Sequence, residues 1–233
     1  MIDQSLMSDM LSPFWVSIKL ACVTTLCLLL FATPIAYWLA KPSRIKVIGR
    51  LKVLLMGIIA MPLVLPPTVI GFYLLLLLSP NVGIGQWLSE YSISPLIFTF
   101  EGLVIGSIIY SLPFYIQPVY AQFLRISQSV TEVAHLLEPS RMRRFMKVAL
   151  PQARVGIILG GLVSFAHTIG EFGVVLMIGG SISGETKVVS IAIYEQVEAL
   201  NYEAAHMMSG ILIIMGVVMV ALIASVSRIS QRP

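Results

Sequence analysis

The chain has 233 residues, 58% of them hydrophobic and only 11% charged, with a mean hydropathy of +0.94. Soluble domains carry about twice that charged fraction, so a soluble fold is excluded and a membrane protein is expected. The formal charge of +4 does not point to nucleic acid, because every basic residue except Lys19 and Lys187 falls in one of three segments, 41–52, 125–154 and 228–232; such clustering marks cytoplasmic loops.

Apolar runs at about 11–40, 51–79, 97–124, 152–178 and 204–227 are each long enough to cross a bilayer, which takes about 20 mostly apolar residues. They lack the alternation of a closed barrel, so the predicted class is an all-α membrane protein with one transmembrane domain. The simplest topology has five spans, the N-terminus outside and the C-terminus in the cytoplasm. A sixth crossing or a re-entrant segment near 182–200 stays open. With two Asp and no Lys or Arg, the first ten residues are the reverse of a signal peptide's basic start.

Taken in order, the first span would be about 45 Å long if helical throughout, longer than the hydrocarbon layer, so it must tilt, bend or project. Pro34 supplies a kink near its inner end, and Lys19 lies close enough to the outer end for its ammonium to reach the interface. Cys22 and Cys27 point in different directions on a helix and read as small core residues. The second span contains MPLVLPPTVIGF, in which Pro62, Pro66 and Pro67 remove three backbone donors and force a break. Breaks at membrane depth need protein or water to satisfy the freed carbonyls, and they mark either a translocation path or a bend made for packing. A turn-rich outer loop over 79–94 leads to the third span, which carries Ser107, Ser111, Tyr110 and Tyr115 beside Pro113 and Pro118.

The longest polar interruption, 125–151, reads RISQSVTEVAHLLEPSRMRRFMKVALP. Val130, Val133, Ala134 and Leu137 fall at i, i+3, i+4 and i+7, one face of a helix that Glu138 and Pro139 should end. Ser140 can cap a second short helix with Met142, Phe145, Met146 and Ala149 on one side and Arg141, Arg143, Arg144 and Lys147 in water. Glu132-Val133-Ala134, three residues, Glu138, nine residues, then Val148, Leu150 and Pro151 resemble the EAA loop of ABC importer permeases in spacing throughout. Val133 and Val148 depart mildly from that pattern. Glu138 departs strongly, replacing the glycine at which the family's chain turns, so the turn must be made another way. The resemblance implies that Glu132, Val133, Ala134, Glu138, Leu150 and Pro151 couple the spans to an ATPase.

The fourth span opens on Gly156, Gly160 and Gly161, a small-residue packing face. It continues into SFAHTIGEFG, where His167 and Glu171 stand one helical turn apart at membrane depth. Buried ionisable groups there are functional candidates. Glu171, a poor ligand for an anion, is expected to accept from backbone donors or from His167. Ser164, three residues before His167, invites a hydrolase reading, but no G-x-S-x-G turn surrounds it. The segment 179–186 falls one residue short of a phosphate-binding loop, with Glu185 where a lysine is required, which excludes nucleotide there. Residues 187–200 show a short amphipathic helix, and the last span ends in a basic tail. His135, His167 and His206 share no ligand spacing, so no metal or cofactor is expected.

Residues 61–88 and 165–199, with GEFG and GGSISGETKVVSIAIYEQVEA, further resemble the permeases of molybdate ABC importers, which are type I importers. Sulfate permeases share GEFG, so tungstate and sulfate stay open. The resemblance implies a non-catalytic subunit of the bacterial inner membrane that dimerises, works with two copies of a separate ATPase subunit and receives its anion from a molybdate-binding protein outside. For a tetrahedral dianion a path needs neutral donors, and Thr68, Ser107, Ser111, Ser164 and Thr168 are the candidates, with Pro66, Pro67 and Glu171 as gate residues. A self-sufficient channel or secondary transporter is the other transport reading. The absence of an internal repeat argues against it.

Overall fold

The computed structural model describes residues 4–43, 45–91, 95–138 and 140–230; Asp3, Arg44, Pro139, Arg232 and the end of the 79–94 loop lie outside them. All regular structure among the described residues is helical. Helix α1 (Gln4–Ala40) continues through both Pro13 and Pro34. Helix α2 (Lys46–Ala60) buries none of its residues and gives way to a 3₁₀ turn, Met61–Leu63. Then come α3 (Pro67–Leu78), α4 (Gly83–Glu90) and α5 (Phe100–Leu124).

Helix α5 is the axis of the bundle: half of its apolar stretch is buried, against 6% for the last helix. Small residues decide how closely its neighbours approach. Ala32 and Ala36 of α1 pack with Leu28 against Tyr115, Ile116 and Val119, and the Tyr115 hydroxyl hydrogen-bonds Thr33 at 2.7 Å across that contact. On the other side lies α9 (Arg154–Ile169). A Cβ on Gly160 would stand 2.8 Å from the Tyr115 carbonyl oxygen, and one on Gly156 2.5 Å from Gln122 Cβ. The expected glycine packing face is therefore present, and filling it would force the helices apart at about 1–3 kcal/mol.

Between α5 and α9 run α6 (Gln128–Leu137), α7 (Arg141–Arg144), a π-helical turn Phe145–Ala149 and α8 (Leu150–Gln152). The segment Arg141–Gln152 is bent 73° from α9. After α9 come α10 (Gly173–Gly179), α11 (Val189–Glu198) and α12 (Tyr202–Ser230). Leu11–Ala40, Pro67–Trp87, Phe100–Leu124 and Tyr202–Arg228 can each cross a membrane, and the bent pair would make a fifth span. With ten residues α11 covers about 15 Å, half a hydrocarbon core, so it makes no sixth crossing. Instead Val189 and Ala192 pack with Phe14 of α1 and Met208 of α12, and Ser17 Oγ accepts from the Val189 amide at 2.8 Å.

Two expected spans are interrupted. The stretch 51–79 divides at the prolines, as the sequence demands. The stretch 152–178 also divides, between Ile169 and Gly173, where no proline stands.

Candidate functional site

The two interruptions meet. A Cβ on Gly173, the first residue of α10, would stand 2.7 Å from Pro67 Cβ, and one on Gly71 of α3 would stand 2.8 Å from Met177 Cβ. Only hydrogen at both positions allows α3 and α10 to lie this close. Pro66 takes the extended conformation before α3 and Pro67 its first position, where a missing N–H removes no helical bond. No side chain caps α3, and around it Pro66 and Thr68 are exposed, as is Val64 at 85%.

Behind that exposed break, Ser107, Ser111, Ser164, Thr168 and Glu171 are all 4% exposed or less. Ser107 Oγ donates to Glu171 Oε2 at 3.1 Å. Glu171 Oε1 is buried without a partner among the described residues, while its backbone carbonyl accepts from Ser190 Oγ of α11 at 2.5 Å. Thr168 Oγ1 donates to the Ser164 carbonyl at 2.9 Å and meets Ser111 Oγ at 3.0 Å. Ser111 Oγ also meets His167 Nδ1 at 3.0 Å. One arrangement supplies a hydrogen to all three contacts: Nδ1–H donates to Ser111, Ser111 to Thr168 and Thr168 to the carbonyl. In the neutral ring Nε2 is then the acceptor, held in place by the stack on Phe114, 3.8 Å between centroids.

This corrects the expected Glu171 partner. Helix α9 ends at Ile169 with Gly170 as its cap, so the helical register linking His167 to Glu171 is lost and each pairs instead with a serine of α5. The Ser164 hydroxyl donates to the Gly160 carbonyl at 2.8 Å, not to His167, so these two do not form the nucleophile and base pair that their spacing invites. In the 179–186 turn the amides of Glu185, Thr186 and Lys187 converge on the Ile182 carbonyl, so they cannot cradle a phosphate.

The basic loop has a different character. Ser127 and Ser140 accept from the amides of Val130 and Arg143, capping α6 and α7. Glu138 is extended, at φ −135°, so the turn expected at this position is made without a left-handed residue there. Arg144 donates to the Glu138 carbonyl at 2.8 Å. Val130, Val133, Ala134 and Leu137 line one groove of about 330 Å³ with Val148, which is the face their spacing predicts. Of these only Ala134 is buried; Leu136 is 85%, Leu137 80%, Met142 69% and Met146 53% exposed. Glu132 and Pro151 are exposed and Leu150 is half-buried. Sequence reasoning missed Ser190, Phe114 and Gly173, whose roles depend on neighbours far along the chain.

The chain matches the model of the family described as binding-protein-dependent transport system inner membrane component over residues 32–232. It is 44% identical over 200 residues to the molybdenum transport system permease protein ModB of Azotobacter vinelandii, covering 86% of each chain. To the sulfate transport system permease protein CysT of Escherichia coli it is 30% identical over 171 residues, 73% of this chain and 61% of that one. Among solved structures, a chain of the MetNI methionine ABC transporter in inward-facing conformations superposes with a TM-score of 0.73 at 14% identity, over 99% of this chain and 100% of that one.

Proposed function

This chain belongs to the family of binding-protein-dependent transport system inner membrane components, and from that premise we propose that it conducts molybdate as the homodimeric permease of an ABC importer. Two copies of a separate ATPase subunit would drive it, and a molybdate-binding protein would deliver the anion outside. The observation that carries the coupling half of this reading is the apolar surface left bare on a basic loop, Leu136, Leu137, Met142 and Met146 beside Arg141 and Arg143. Such a surface in water needs a partner. ATP-driven closure of the ATPases would push Glu132, Val133, Ala134 and Glu138, pass through Leu150 and Pro151 into α9, and rock the bundle.

A membrane break with exposed backbone cannot face lipid. The break at Pro66, Pro67 and Thr68 therefore favours a two-fold axis on that side, with an aqueous path between copies. Ser107, Ser111, Ser164, Thr168 and Glu171 would hold the second break behind this path and reach it as the helices part. The orientation proposed, N-terminus outside and C-terminus cytoplasmic, is supported by Lys41, Lys52 and Arg144, which line one cavity at the same end of the bundle.

Likeness to the molybdenum permease supports the substrate, and likeness to the sulfate permease supports sulfate as a second reading. Reconstitution with the co-purifying ATPase tests both. Molybdate uptake should require ATP and tolerate excess sulfate, and uptake without any ATPase would overturn the proposal. Glu132→Lys should leave ATP hydrolysis running while uptake falls at least about tenfold, the effect of roughly 1.4 kcal/mol of lost coupling.

A further inference from the structure

The 41–52 segment, the end of α5 and the basic loop enclose a cavity of about 970 Å³, the size of a site for a molecule of some tens of atoms. Among the described residues, Lys41, Lys52 and Arg144 line it against one carboxylate, Glu132, an excess of two positive charges. Lys52 Nζ donates to the Trp38 carbonyl at 2.5 Å and the Lys41 carbonyl at 2.6 Å, so one of its three hydrogens is left over. Lys41 Nζ lies 3.9 Å over the Tyr37 ring and has no hydrogen-bond partner among the described residues. Lys52 Nζ also lies 4.8 Å over Trp38. Two ammonium groups are thus fixed beside aromatic rings, the residue types that settle at a membrane interface.

The cavity has an apolar side as well. Val53 and Met56 of α2 line it, and α2 continues outward as a bare strip with Val53 74%, Leu54 61% and Ile58 52% exposed. A free inorganic anion would satisfy the lysines and leave this strip bare. An amphiphile covers both. We propose that the cavity binds the phosphate of an anionic phospholipid headgroup, with the phosphate on Lys41 and Lys52 and the acyl chains along α2. Ala134, Val148 and Ala149 of the basic loop also line the cavity. If that loop couples to an ATPase, as proposed above, the lipid ties it to α1 and α2. Binding itself does not depend on the coupling reading.

Native mass spectrometry of the purified chain, equilibrated with phosphatidylglycerol or phosphatidylcholine, tests this. The chain should retain phosphatidylglycerol selectively. Two lysines near a lipid phosphate are worth about 30-fold in retention, so Lys41→Gln with Lys52→Gln should lose about that factor. Lys46→Gln with Arg50→Gln, which removes the same charge from exposed positions outside the cavity, should lose little. Val53→Trp, which fills the cavity at a mostly exposed position and keeps every charge, should also lower retention, and it decides the matter if the lysine variant does not fold. Equal losses from both charge pairs would overturn the proposal, as would equal retention of phosphatidylcholine. Displacement of phosphatidylglycerol by millimolar inorganic phosphate would overturn the lipid assignment in favour of a free-anion site. If the coupling reading alone fails, retention is unchanged.

Discussion

The two helix breaks touch, yet they are built from opposite materials. Residues 61–67 break because prolines leave no alternative, and the result is exposed and uncapped, its carbonyls partly met by 3₁₀ and turn bonds from Val64 and Leu65 to Met61. Residues 170–172 contain no proline. They break where Glu171 is fastened on two sides, by Ser107 through its side chain and by Ser190 through its backbone. The first break is a property of its own residues and would persist in almost any surroundings. The second exists only while α5 and α11 hold it, so it is the one that movement of neighbouring helices can remake.

Variants at the two sites should separate these characters. Gly173→Leu would drive a side chain into Pro67, 2.7 Å from where its Cβ must go. About 3 kcal/mol of destabilisation is expected, seen as a lower thermal midpoint in detergent, while Val64→Ala at the exposed break should change little. Glu171→Ala removes the acceptor of a buried hydroxyl and should lose about 2 kcal/mol. Glu171→Gln keeps an acceptor for Ser107 and should retain assembly while altering transport. If Gln disrupts assembly as badly as Ala, the side chain is purely structural. Replacing Pro66 and Pro67 together by Ala should shift stability by about 1 kcal/mol or less, because alanine keeps the Cβ that meets Gly173 and gives up only ring atoms and backbone stiffness. Uptake should suffer more than stability, and wild-type uptake would remove the first break from the path.

The smallest effect concerns the surroundings of the second break. Glu195 of α11 pairs with Lys187 at 2.7 Å and accepts from Ser181, clasping the loop after α10. Burial pushes its pKa up, but Lys187 and Ser181 outweigh that, and the net shift is below the ordinary 4.5. A depressed carboxylate stabilises the fold above its ordinary value and loses that contribution as pH falls through the lowered one. The pair is part exposed, so it is worth about 0.5 kcal/mol. The thermal midpoint of Lys187→Met should therefore trail the parent at pH 7 and converge with it in acid. Residues 61–68 carry no titratable side chain and should respond to neither change.

Much of this was readable along the chain, because the forces involved are local. Apolar runs of bilayer length give spans; Pro62, Pro66 and Pro67 break a helix by removing donors; Ser140 caps the helix after it. Spacing alone put Val130, Val133, Ala134 and Leu137 on one groove. Glu171 shows where such reading stops. From sequence it lay one turn from His167, but the helix ends between them, and the serines that take over come from α5, more than fifty residues earlier.

By itself, then, the sequence determined an all-helical membrane fold, a proline break and a basic two-helix loop, since composition, backbone donors and side-chain period act within a few residues. Tertiary structure alone decided the second break, the burial of the hydroxyl set and the meeting of α3 with α10. Each of these depends on groups distant in sequence satisfying a polar atom, or leaving room for a backbone, at one point in space.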